Sequence, residues 1–533
     1  MEDKPDDKPG GEAVGTLSGT AGEGPGALAD GAPGREPDAR PPGASGDEPG
    51  GEREGAPGGE QEGRPTGDGA PPKPRRAGRR RVLLASIAGC AVLGGLLVLL
   101  PLGRGDDGPP EPTPGARAMA AVTSGVPASM PDLQVLVEER ERHLRKHPRD
   151  ARAWAVLGTA RVEQGRRLAH PSAYPRAERA LRTSLKVRPE RNAAALRGLA
   201  ALANARRDYP AARKWGEAAR KLEPQQWTTY PLLIEAYGGL GDHESVGRLL
   251  DRLTKLRKDP AVMAVTAAVY RDRGWREDAA AQLADAAAAT VDPAERAAYV
   301  ERAGQLAWER GDLTEALHHF QEAVRLDPGQ RAAQAGQGRV LAAMGRTTEA
   351  LSAYRVALEK QPRPEYALEL GELYASLGMP QAAGVQYDLL RERVRRAAAN
   401  GVDENLVLGR FEADHGDPRA AVRRLRAEWE RQPSTAVADA LGWALHRAGE
   451  HEEALGFARR ATEGERGGGV RSALYAFHRG MIERELERYG AARRHLREAL
   501  RINPYFSPLK VREARAALAR LGEPPVEAGA YVS

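Results

Sequence analysis

At 533 residues and 41% hydrophobic, the chain is long enough to bury a large core. Its formal charge of +6 is small and unevenly spread, and only 5% of residues are aromatic, which argues against a nucleic-acid binder built on basic faces and stacking platforms. The single cysteine, Cys90, excludes intramolecular disulfides and multi-thiolate zinc sites.

Residues 1–72 are Gly, Pro, Ala, Glu and Asp with almost no aliphatic or aromatic side chains. Such a segment cannot bury enough apolar area to offset the entropy of ordering, so it reads as a disordered acidic tail. Residues 73–81 form a basic cluster that includes Arg75, Arg76, Arg79, Arg80 and Arg81. Directly behind it, residues 82–102 are uncharged and long enough to cross a hydrocarbon layer of about 30 Å as one helix. The arginines stand before this span and Asp106 and Asp107 after it, which predicts a cytoplasmic N-terminus, a single pass of the plasma membrane and an extracytoplasmic remainder. Ile87-Ala88-Gly89-Cys90 resembles a bacterial lipobox, but the apolar run continues for about a dozen residues beyond the cysteine, unlike a signal peptide. The bias toward Arg, Ala, Gly and Pro resembles that of high-GC actinobacteria, which would make this envelope a bacterial one. Residues 103–131, rich in Gly, Pro, Ala, Ser and Thr, read as a flexible linker.

From 132 to 504 the chain repeats itself. The segment from Gly311 to Pro328 returns 34 residues later as Gly345 to Pro362, with the glycine, both alanines, the aromatic ring and the proline in register. Within each unit apolar residues recur at spacings of three and four, broken by a Gly-polar turn and then by a proline, which predicts paired helices. Trp154-x-x-Leu157-Gly158, Leu370-Gly371-x-x-Tyr374, Leu408-Gly409 and Leu441-Gly442 resemble the first helix of the tetratricopeptide repeat (TPR). Ala316, Phe320 and Pro328, then Ala350, Tyr354 and Pro362, resemble its second helix and stop. The resemblance implies an all-α solenoid of about ten helical hairpins wound as a right-handed superhelix. Small residues such as Gly371 and Ala316 are expected where the two helices of a unit cross, with Phe320 and Tyr354 between units. The glycines Gly241, Gly274, Gly311, Gly345, Gly378, Gly416 and Gly449 are expected to supply positive φ at the turns. Residues 505–522 read as a capping helix and 523–533 as a frayed end.

No catalytic residue, metal ligand set or cofactor motif emerges. His318-His319 lacks a carboxylate at helical zinc spacing, and Gly336, Gly338 and Gly345 lie inside helical repeats instead of between a strand and a helix. The resemblance implies a concave groove lined by the first helix of each unit, able to take an extended peptide or a helix. Motif offsets direct Gln305, Trp308, Arg339, Glu372, Arg410, Trp443, His446 and Arg484 into it. Truncation of Trp443 or charge reversal of Arg339 is then expected to weaken a partner while sparing stability. The function this predicts is a non-catalytic protein-binding scaffold anchored in the membrane, with no nucleic acid, small-molecule substrate or cofactor. An alternative is an accessory subunit that presents substrate to a cell-envelope enzyme.

Overall fold

Local instructions at many of the helix ends set up the hairpins. The helix Pro293–Arg310 ends at Gly311, whose φ of 82° only glycine adopts freely. Asp312 then starts the helix Leu313–Leu326 by accepting from the Glu315 N–H at 3.2 Å, a cap that contributes about 1 kcal/mol. Asp150, Asp208, Asp242, Asp259, Asp292, Ser434 and Ser472 cap other helices the same way.

The computed structural model describes residues 111–464 and 469–523, all within the compact unit that begins at Asp106. Among the described residues there are 23 helices and no strand. A leading pair, α1 (Pro114–Ser124) and α2 (Met130–Lys146), precedes ten hairpins, each of an A and a B helix. These are α3 (Ala151–Leu168) with α4 (Ala173–Val187), α5 (Ala193–Ala205) with α6 (Tyr209–Leu222), α7 (Thr229–Gly239) with α8 (His243–Leu256), and α9 (Pro260–Asp272) with α10 (Arg276–Ala289). There follow α11 (Pro293–Arg310) with α12 (Leu313–Leu326), α13 (Arg331–Ala343) with α14 (Thr347–Lys360), and α15 (Pro364–Ser376) with α16 (Pro380–Ala398). The last are α17 (Asn405–His415) with α18 (Pro418–Arg431), α19 (Thr435–Arg447) with α20 (His451–Thr462), and α21 (Ala473–Glu485) with α22 (Tyr489–Ile502), closed by α23 (Lys510–Leu521).

Inside a hairpin, a glycine of the A helix faces a large side chain of the B helix. A Cβ on Gly371 would collide with the Tyr387 ring, one on Gly158 with Leu181, and one on Gly480 with Leu496. Ala316, Ala350 and Ala383 are fully or almost fully buried at the same crossings. Between hairpins, the Phe320 ring, 0% exposed, lies against Gly304 of its own unit and Gly336 of the next. Burying such a ring contributes about 1.5–3 kcal/mol.

The stack winds far enough for successive coils to touch. The Gln361 amide donates to the Arg167 carbonyl at 2.8 Å across 194 residues, and the Asn503 amide donates to the Trp308 carbonyl at 2.7 Å across 195. One coil therefore takes roughly six 34-residue units. Along this seam, A–B turns of the first coil sit against B–A connections of the second: the Asp403 N–H donates to the Arg206 carbonyl at 2.9 Å, and the Gly469 N–H to the Asp272 carbonyl at 3.2 Å.

Two expectations change. Part of the segment read as a flexible linker, 103–131, is ordered: α1 starts at Pro114 behind the cap Thr113, and Ala118, Val122, Leu133 and Leu136 form one buried cluster. Its alanines and prolines are helix-compatible once an apolar face finds a neighbour. Gly416 does not take positive φ; it sits at −137°, its N–H still donating to the Glu412 carbonyl at 3.1 Å. The acidic tail, the basic cluster, the span at 82–102, the first part of the linker and residues 524–533 lie outside the described residues. Among those described, no helix is long and apolar enough to cross a membrane.

Candidate recognition lumen

The A helices face inward, so side chains spaced one repeat apart meet on the concave wall. Gln305 and Arg339, 34 residues apart, are joined by a hydrogen bond from the Arg339 guanidinium to Gln305 Oε1 at 2.8 Å. This bond belongs to a polar chain that crosses four A helices. Arg271 of α9 pairs with Glu309 of α11 at 2.6 Å, Gln305 Nε2 donates to Glu309 Oε1 at 2.9 Å, and Arg339 of α13 pairs with Glu369 of α15 at 2.8 Å. The Tyr354 hydroxyl closes the chain, donating to Glu369 at 2.9 Å. Burial opposes ionisation of Glu309, but Arg271 and Gln305 outweigh it and hold its carboxyl below the ordinary value. Glu301, half-buried on the same wall, is instead raised by desolvation, which nearby arginines offset only in part.

Trp308 and Trp443 do not offer free rings to a ligand. Trp308 is 7% exposed, with the Arg339 guanidinium 5.7 Å from its ring centre. Trp443 is 3% exposed; its indole N–H donates to Asp414 at 2.8 Å, and its ring stacks on His478 at 4.2 Å and on His446 at 4.9 Å. Lys510, from the first turn of α23, reaches Asp414 at 2.6 Å and lies 4.9 Å from the same indole. Truncating Trp443 would therefore leave a cavity, so the expected indifference of stability does not hold. His446 is driven down to about 3 by burial and by His451, whose ring nitrogen is 3.1 Å away.

The remaining expected residues stand apart from these two clusters. Glu372 meets His415 at 3.3 Å, Arg484 pairs with its neighbour Glu485, and Arg410 keeps a buried Nε without a hydrogen-bond partner. His319 faces Glu315 at 3.5 Å, an ordinary surface pair. Among the described residues no group of three His, Cys, Asp or Glu side chains could hold a metal ion.

Two features of the wall escaped sequence reasoning. The first is an open lumen of about 970 Å³ inside the first coil, lined by α1 and by the A helices α3, α5, α7, α9 and α11. Its signal was present in the inward stripe of α9, Ala261, Val265, Ala268 and Asp272, at spacings of four and three. The second is Arg207, which occupies the turn position where six of the hairpins have a positive-φ glycine, with φ of 58°. Its side chain crosses the seam to Glu365 at 2.5 Å and to Glu404. With one guanidinium between two carboxylates, burial and the neighbouring Glu365 push Glu404 up to about 7 against the pull of Arg207.

Sequence comparison agrees with this geometry. Family models described as tetratricopeptide repeat match residues 173–226, 265–331 and 406–470, residues 307–375, and residues 474–506. The chain thus carries tetratricopeptide repeats along these stretches. No curated protein matches it. Solved structures to which it is similar include the human IFIT1 dimer with PPP-AAAA, at 16% identity over 71% of this chain and 85% of that one, with a TM-score of 0.41. The Cut9–Hcn1 hetero-tetramer of the APC/C is similar at 15% identity over 69% and 76%, with a TM-score of 0.37, and yeast Tom70 at 13% over 68% and 96%, with a TM-score of 0.30.

Proposed function

We propose that this array of tetratricopeptide repeats is a non-catalytic scaffold that binds a segment of a partner protein inside its superhelix. The observation that supports this most directly is the lumen: a concave wall whose side chains are mutually positioned across consecutive A helices, with unfilled space in the first coil. Such a wall presents a preformed surface and spares a ligand part of the ordering cost of binding. Fixing the array to a membrane through residues 82–102 would raise the local concentration of the partner near the bilayer. On this reading the acidic tail is cytoplasmic and the repeats are extracytoplasmic.

Two measurements test the reading separately. Protease added to intact cells should digest the repeats and spare the N-terminal tail; the reverse pattern overturns the topology. Ala268→Trp, which fills the lumen from an exposed position, should abolish proximity labelling of the partner without lowering the melting temperature, and undiminished labelling would sink the lumen as the binding site.

A further inference from the structure

The first-coil lumen is chemically one-sided. Six arginines line it, against the carboxylates of Glu223, Glu235 and Asp272. Arg197 is matched to Glu223 at 2.5 Å, and Arg166 turns to Glu163 at 3.0 Å. Arg152, Arg188, Arg273 and Arg302 have no carboxylate within ion-pair distance among the described residues.

The space between these cations is largely aliphatic, with Trp227, His243 and Tyr299 as its rings. Along α3 the inward positions run Arg152, Val156, Thr159 and Arg166, and along α9 they run Ala261, Val265, Ala268 and Asp272, so an apolar band lies between polar rims. Val122 of α1 and Leu232 of α7 continue the band. A volume of about 970 Å³ is near the upper limit of ordinary ligand pockets, about 300–1,000 Å³, and suits a short stretch of chain.

We infer that this lumen is a docking site for an acidic amphipathic segment of a partner protein, with aliphatic side chains on the band and Asp or Glu on Arg152, Arg188 and Arg302. The inference deepens the scaffold reading and rests on it. Charge complementarity would give the encounter its rate and orientation, and the apolar band its residence time. A nucleic acid would satisfy the arginines, but of the rings at the lumen Trp227 is covered by the Arg257 guanidinium at 5.5 Å and Tyr299 is 2% exposed, which leaves His243 alone as a stacking partner for bases. The chain's own residues 1–72 are acidic but carry almost no aliphatic side chains for the band.

Fluorescence anisotropy with the full-length chain tests this. The probe is a synthetic 20-residue helix-forming peptide with Leu at spacings of three and four and Glu elsewhere; its counterpart replaces every Glu by Lys. Further probes are an oligoadenylate and a peptide of residues 1–72. The Leu/Glu probe should bind saturably and weaken with added salt, with the other three binding at least about tenfold more weakly. Arg152→Gln combined with Arg302→Gln should weaken it by about tenfold and flatten the salt dependence, with an unchanged melting curve. The inference falls if the Lys peptide, the oligoadenylate or the 1–72 peptide binds as tightly as the Leu/Glu probe, or if the arginine variant binds that probe undiminished. Ala268→Trp separates the two levels of argument. If it abolishes whatever binding is seen, only the acidic assignment has failed; if binding survives it, the lumen itself is not the site.

Discussion

The two coils are built from the same hairpin and end with opposite interiors. In the first, the inward positions of α5 and α9 carry Ala194, Ala201, Ala261, Val265 and Ala268, and the wall stands open. In the last hairpins the corresponding wall carries Trp443, His446 and His478, stacked on one another and pinned by Asp414 and Lys510. A solenoid of uniform backbone can thus be a receptacle at one end and a packed core at the other. Inward side-chain volume decides which, because the hairpin crossings that hold the backbone apart are the same small residues in both.

The largest expected effect separates the interiors directly. Trp443→Ala should cost about 3–5 kcal/mol in chemical denaturation, as removal of a fully packed ring, whereas Val265→Ala in the open lumen should cost less than about 1 kcal/mol. Equal losses would mean that the first lumen is as packed as the second. Next come the crossings, which should not distinguish the coils: Gly158→Leu and Gly480→Leu should each destabilise by about 2–4 kcal/mol through overpacking against Leu181 and Leu496. Markedly different losses would show that the shared scaffold is not equivalent at its two ends.

The seam between the coils gives smaller effects that depend on pH. Arg207→Gly removes a left-handed strain of roughly 1–2 kcal/mol but leaves the buried Glu404 and the part-exposed Glu365 without its guanidinium. A net loss of about 2 kcal/mol is expected at pH 8, read by denaturant titration, and less at pH 5, where Glu404 takes up a proton. In the parent chain Glu404, 9% exposed, is raised from 4.5 to about 7. The folded state therefore holds a proton that the unfolded state has released. Its stabilising contribution is complete below about 4.5 and is lost as pH rises through about 7, a change of roughly 1–3 kcal/mol. Glu404→Gln should remove that slope; an unchanged pH profile would show that the carboxylate is ionised at the seam throughout.

Much of the architecture was legible from residues alone. Gly311-Asp312 marks a helix end and the next start, Ala316 and Gly371 mark crossings, and Phe320 marks a junction between units, because each acts within one or two neighbouring repeats. The polar chain was half visible, since Gln305 and Arg339 lie one period apart, but Glu309 and Glu369 fall off that spacing and were missed. Trp443 was read as a binding residue because motif offsets say that it points inward. They do not say that Asp414 and Lys510, 96 residues apart from each other, will meet there.

The period and composition of this chain by themselves determined an all-helical stack of hairpins, with its turns, crossings and inward stripes, because those features depend on residues at most a few tens of positions apart. Only the tertiary structure decided which lumen stays open and which fills, where one coil touches the next, and why Arg207 stands where a glycine belongs. The reason is cumulative: a small rotation at each repeat junction adds up over roughly six units before Arg167 reaches Gln361 or Trp308 reaches Asn503, and no local pattern records that sum.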